Sequence, residues 1–174
     1  MRKKTYKKGF TIIESLVAIV VMVMATIGAM SAVQFGLSSY IFSKDQVSAF
    51  YLAQEGFEQI RNMRDVNRLN GRHWLTGLAL NSSDPCFFGQ ACIVSPVETL
   101  LAERCSTPST CPRVRYQPSS GFFGYNPSWT ASNFTRSIEF ASVNANEVSV
   151  TVTVTWSKGL INRQFKAREN LFNW

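Results

Sequence analysis

Glu14 is the only acid before Asp45, and it stands at the entrance to a run, Leu16–Val33, that carries no charge. A carboxylate in hydrocarbon costs about 2.5–3.5 kcal/mol even on lenient insertion scales, so acids within a membrane segment usually have a partner. Pairing with a cation at the same depth is therefore the chemistry that Glu14 offers; the bland alternative is a carboxylate resting at headgroup level. The other reactive set is four cysteines, Cys86, Cys92, Cys105 and Cys111, spaced C-x5-C twice. An even count suits two disulfides. A four-thiolate zinc site would call for closer knuckles such as C-x2-C, which are missing. Three connectivities are open. The local one, Cys86–Cys92 with Cys105–Cys111, is the expected pairing, and each short loop would remove roughly 2–3 kcal/mol of unfolded-state entropy. The one histidine, His73, sits beside Trp74 and reads as a surface or capping residue. No GxSxG, HExxH, P-loop or GxGxxG pattern occurs. The chain does not read as an enzyme, and no cofactor or metal is implied.

These residues need elements to hold them. The 174 residues suffice for one ordinary domain, and 45% hydrophobic content argues against pervasive disorder. A net charge of +7 invites a nucleic-acid partner. Yet Arg2, Lys3, Lys4, Lys7 and Lys8 supply five of the seven charges, and only a small excess remains beyond them. The basic cluster fits the positive-inside rule, which would keep the N-terminus cytosolic. One crossing would then place the cysteines in an oxidising compartment, where disulfides persist.

Residues 1–9 form a basic leader and 10–35 an apolar segment. Eighteen uncharged residues at about 1.5 Å rise cover about 27 Å, close to the thickness of a bilayer core. Residues 36–65 turn amphipathic: Ala49, Leu52, Ala53, Gly56, Ile60 and Met63 recur at spacings of three and four. Glu55, Glu58, Arg61 and Arg64 fall mostly off that stripe, and Glu58 with Arg61 makes an i,i+3 pair. No proline precedes Pro85, so one helix is expected from about Thr11 to about Asp65, a rod of roughly 80 Å. Residues 66–135, which hold the cysteines, look irregular, with Val94–Arg104 read as a short helix. The aromatic stretch GFFGYNPSW reads as the cap of a small core. Residues 136–174 are expected as antiparallel strands. In EVSVTVTVTW, valines alternate with Ser and Thr, the mark of a half-buried strand. Ser157-Lys158-Gly159 should turn the chain back, residues 160–172 should pair with that strand, and Arg136–Phe140 offers a third. The fold class is α+β: a long helix whose first half is bare and whose second half lies on a small antiparallel sheet of three or four strands.

The basic leader, the Gly9-Phe10 step, Thr11 and Glu14, and then a long apolar helix together resemble the type IV prepilin signal, shared by pseudopilins of type II secretion and competence systems. The segment LAQEGFEQIRNMRD and the closing ENLFNW further resemble minor pilins of the pilus-modification kind. The resemblance implies cleavage between Gly9 and Phe10 by a prepilin peptidase, methylation of the new Phe10 amine, and pairing of Glu14 with the amine of a neighbouring subunit. It implies other pilin subunits, the assembly machinery and the lipid bilayer as partners. It also implies passage from the inner (cytoplasmic) membrane into an extracellular pilus or pseudopilus. The proline that major pilins often carry in this helix is absent, which leaves Gly28 as the expected weak point.

Two further readings compete. An ordinary secretion signal cut after Ala29-Met30-Ser31 would release a soluble binding domain starting at Ala32. A fibre-tip binder of nucleic acid or another surface would rely first on Arg113, Arg115 and the aromatics of residues 122–129.

Overall fold

A computed structural model describes residues 9–95, 101–159 and 161–174. The basic leader residues Arg2 to Lys8 lie outside the described residues. The chain divides into two compact units, one ending at Asp45 and one starting at Gln46.

Helix α1 spans Ile12–Leu69. Thr11 opens it: its Oγ1 and its carbonyl both accept from the Glu14 N–H, at 3.3 and 3.1 Å. In the first unit the described helical residues are almost all exposed. An 18-residue window has a mean hydropathy of 2.5, so the helix is long and apolar enough to cross a membrane by length and composition. The hydroxyls of its apolar stretch are satisfied within the helix. Ser15 donates to Thr11 O, Thr26 to Met22 O and Val23 O, and Ser31 to Ile27 O. A polar group facing lipid needs such an internal partner, because hydrocarbon supplies none.

The helix ends on a Schellman motif. Gly71 takes φ +66°, its N–H reaches Arg68 O at 3.0 Å, and the Arg72 N–H reaches Asn67 O at 2.8 Å. Only glycine adopts that backbone cheaply, so Asn70-Gly71 marks the stop.

In the second unit, α1 buries Ala49, Leu52, Ala53, Gly56, Ile60 and Met63, the six residues of the sequence stripe. It also buries Gln59, Arg64 and Asn67, which the stripe did not include. Arg64 was expected off the stripe. It is buried because its guanidinium lies 3.9 Å over the Trp174 ring and donates to Phe172 O. Arg68 holds the Trp174 carbonyl, so the C-terminal residues are strapped onto the end of the helix. Arg61 bridges Glu58, as the i,i+3 spacing suggests, and also Glu169.

The helix covers a seven-stranded antiparallel sheet: β1 Ala91–Ser95, β2 Leu101–Arg104, β3 Arg113–Tyr116, β4 Phe123–Gly124, β5 Thr130–Asn144, β6 Glu147–Lys158 and β7 Ile161–Phe172. The long strands β5, β6 and β7 form its body, with Phe134 opposite Trp156 and Val152 opposite Ala167. Val148, Val150, Val152, Val154 and Trp156 are all buried, as their alternation predicts. The other edge of β5 pairs with both β1 and β3. Gly159 takes the expected positive φ, +61°.

Two expectations are corrected. The sheet has seven strands rather than three or four. The described ends of Val94–Arg104 are strand rather than helix: they belong to β1 and β2, with Cys92 opposite Arg104, and residues 96–100 lie outside the described residues. Ala91, Cys92, Ile93 and Val94 are all buried. A strand covered on both faces shows a continuous apolar run, which periodicity alone cannot tell from a helix. Residues 66–135, irregular to the eye, hold four short strands, the start of β5 and the last turn of α1.

The cysteines form two disulfides, Cys86–Cys92 and Cys105–Cys111, with Cα–Cα distances of 5.1 and 5.0 Å. The second packs with Ala91 and Ile93 under Tyr125, a small core of its own. Replacing Cys105 and Cys111 together by Ser should cost about 2 kcal/mol, read as a lower denaturant midpoint.

A buried cation ties helix to sheet. Arg136 on β5 is fully buried and donates to Leu52 O and Gln59 Oε1, both at 3.0 Å, and to Val94 O at 3.3 Å. Gly56 lets it approach: a Cβ there would meet Arg136 Cδ and Val152 Cγ1 at 3.3 Å. The Glu55 carboxylate lies 3.6 Å from the guanidinium. Burial nevertheless pushes the Glu55 carboxyl above its usual 4.5, outweighing the pull of Arg136 and the Gln59 hydrogen bond in the other direction. The folded chain therefore holds the Glu55 proton more tightly than the unfolded chain does. This group favours folding most below pH 4.5, and that contribution is lost as pH rises through the raised value. In Glu55→Gln this loss disappears. The thermal midpoint of the variant minus that of the parent should rise between pH 4.5 and neutrality, measured across a pH series.

Candidate processing and assembly site

The site is built from the first turn of α1 and the residues before it. Gly9, Phe10 and Thr11 precede the helix and have no regular secondary structure. Phe10 is 76% exposed, and a Cβ on Gly9 would meet nothing within 4 Å. The peptide bond between Gly9 and Phe10 is thus an open, unpaired piece of backbone, the form a protease can seat. By contrast Ser31 and Ala32 lie inside α1, where the backbone is closed by helical hydrogen bonds.

Glu14 is three residues beyond Thr11, in the first turn of the helix. Thr11-x-x-Glu14 has the spacing of a capping box. There an acid also meets the positive end of the helix dipole, a favourable interaction of about 0.3–1 kcal/mol. This placement was legible in the sequence as the T-x-x-E spacing. Beyond it no acidic or basic side chain occurs until Lys44.

The residues that carry this arrangement match one known family. The prokaryotic N-terminal methylation motif matches residues 4–30. The chain carries a prepilin-type signal. That motif, the apolar helix and the helix-on-sheet layout support a place in the type IV pilin and pseudopilin family. No curated protein and no solved structure matches the chain. Chains with this prepilin signal are typically structural subunits. The signal implies interaction with other pilin subunits and with a prepilin peptidase, and with the apolar helix it fits membrane anchoring.

The remaining candidates have other partners in the second unit. His73 Nδ1 accepts from the Leu75 N–H at 3.2 Å, a capping contact. Arg115 donates to Pro127 O and Trp129 O at 3.0 and 2.9 Å, stapling the aromatic loop to β3. It is engaged in holding the loop, so its removal would disturb the aromatics along with any ligand contact. Tyr125 turns inward and burial pushes its phenol up, against the opposing effect of Arg136. Phe122 alone of the loop rings is largely exposed. The sequence missed Arg136 and Trp174. Strand alternation with Phe134, Ile138 and Phe140 would have turned Arg136 inward, had β5 been read in full.

Proposed function

We propose that this chain is a minor pilin of a type IV pilus. It would be cut at Gly9-Phe10 by prepilin peptidase, methylated on the Phe10 amine and assembled into a fibre through α1. Before assembly it would sit in the inner membrane as a single-pass protein with the leader cytosolic and the sheet domain outside. In the fibre, Glu14 of one subunit would neutralise the α-amine of the next, fixing the axial register between copies. The supporting observation is the order of parts: an open Gly9–Phe10 bond, a capped helix start, a lone carboxylate, then an uncharged helix. Each charge offsets the other's cost of leaving water. The uncut leader would block the amine and bring five charges with it.

Intact-mass analysis and N-terminal sequencing of protein from membranes test this. Methylated Phe10 as first residue supports the reading. Met1 or Ala32 as first residue overturns it, and Ala32 would indicate a secreted binding domain. A cut at Ala32 would require the middle of α1 to unfold first, which weighs against it. A pseudopilin of a type II secretion or competence system would be processed identically. It differs in location: a pilin appears in fibres sheared from cells, whereas a pseudopilin stays with the envelope.

A further inference from the structure

The sheet face opposite α1 carries an open cleft. On β5, Phe134, Arg136, Ile138 and Phe140 are buried on the helix side, which places Thr135 and Ser137 on the other. Thr135 registers with Arg113 on one side and Thr155 on the other, and Thr155 registers with Gln164. One row of side chains thus crosses four strands, about 14 Å at the ~4.8 Å interstrand spacing. Ser137 beside Thr153 starts the next row. A single 3-10 turn, Pro108–Thr110, closed by the Cys105–Cys111 disulfide, walls this floor. Together they enclose an open cleft of about 540 Å³.

Its chemistry is specific. No carboxylate lines it, while Arg113 and Arg163 both do. Its floor is short hydroxyls and amides, groups that donate and accept alike. Among the described residues, Thr135, Ser137, Thr153 and Thr155 form no side-chain hydrogen bond, although Ser137 is only 3% exposed. None of these hydroxyls is sealed from solvent either, so they open toward the cleft. We propose that the cleft binds a segment of an acidic polysaccharide. Sugar hydroxyls would lie along the Thr rows and a carboxylate would meet the guanidinium of Arg113. The length of the row suits a chain better than a single ring. Nucleic acid fits less well. Two arginines would neutralise two phosphates, a single-strand salt slope of only about −1.4. The one ring in the lining, Trp156, is buried and offers no face for stacking bases.

The test is calorimetric titration of the full chain in detergent micelles with three probes: a uronic-acid hexamer, a glucose hexamer and a 12-nucleotide DNA strand. The uronic hexamer should bind with a Kd below about 1 mM and the glucose hexamer about fivefold more weakly or worse. Thr153→Val with Thr155→Val keeps the shape and deletes two hydroxyls. It should weaken uronate binding about tenfold, with the thermal midpoint within about 2 °C of the parent. Arg113→Ala should erase the preference for the acidic sugar, which keeps the proposal testable should the valine pair misfold. The proposal is overturned if neither sugar binds at about 10 mM, if the two bind equally, if DNA is the tightest probe, or if the folded variants bind like the parent. The variants tested here leave Gly9, Phe10 and Glu14 unchanged, so this result and that of the processing test stand apart.

Discussion

Glu14→Gln chains should be inserted, cut and methylated, yet be absent from fibres. Gln keeps nearly the shape of Glu and can replace it in a capping box with Thr11, so the helix start survives. Losing the charge makes insertion easier. What disappears is the counter-charge for the amine of the next subunit. That cation would then sit unpaired in hydrocarbon at a cost of about 2.5–3.5 kcal/mol. At 1.4 kcal/mol per factor of ten, incorporation should fall by roughly 100-fold. Immunoblots of the sheared-fibre and membrane fractions measure it, with mass analysis to confirm the methylated terminus. Equal incorporation of the Glu14→Gln variant and the parent would remove the pairing from the account. Glu14→Leu is a poorer probe, because it changes the shape and polarity of the side chain as well as its charge.

The second large effect concerns the buried cation. Arg136→Ala should destabilise the sheet domain by about 3–5 kcal/mol, the usual cost of breaking a buried charged pair. The truncation strands Gln59 Oε1 and Val94 O, leaves Glu55 without its cation, and opens space beside Gly56 and Val152. Leu52 O suffers less, since a helical carbonyl has its own i+4 donor. Arg136→Met also loses the hydrogen bonds and the cation beside Glu55 but refills most of the volume, so it should cost less than Arg136→Ala. Adding Glu55→Gln to Arg136→Ala removes the stranded carboxylate and should recover part of the loss. That would appear as a coupling energy in a double-mutant cycle. Denaturant titration of the parent, the two single variants and the double variant measures this. An Arg136→Ala midpoint equal to that of the parent would show that packing alone holds α1 on the sheet.

The two predictions fall at opposite ends of what a sequence can express. The apolar helix, its entry at Thr11 and Glu14, and the open Gly9–Phe10 step were legible because they depend on local composition and spacing. The same holds for the stripe from Ala49 to Met63 and the valine alternation of β6: each repeats the period of its own backbone over several turns or rungs. The helix runs past the expected end near Asp65 to Leu69, and Asn70-Gly71 stops it. Strands β1 to β4 were hidden for the converse reason. Each is two to five residues long, too short to show a period, and each depends on hydrogen bonds from another segment, β1 and β3 from β5, β2 from β1 and β4 from β3.

The sequence by itself determined that this protein is a capped apolar helix followed by an amphipathic half that needs a sheet, because those properties are carried residue by residue along one element. Only the tertiary structure decided that Arg136 is buried and that Arg115 holds a loop rather than facing outward. It also gathered Arg113, Thr135, Thr155 and Gln164 into one row. Such facts depend on register between strands far apart in the chain. A shift of one residue would turn each of those side chains to the opposite face.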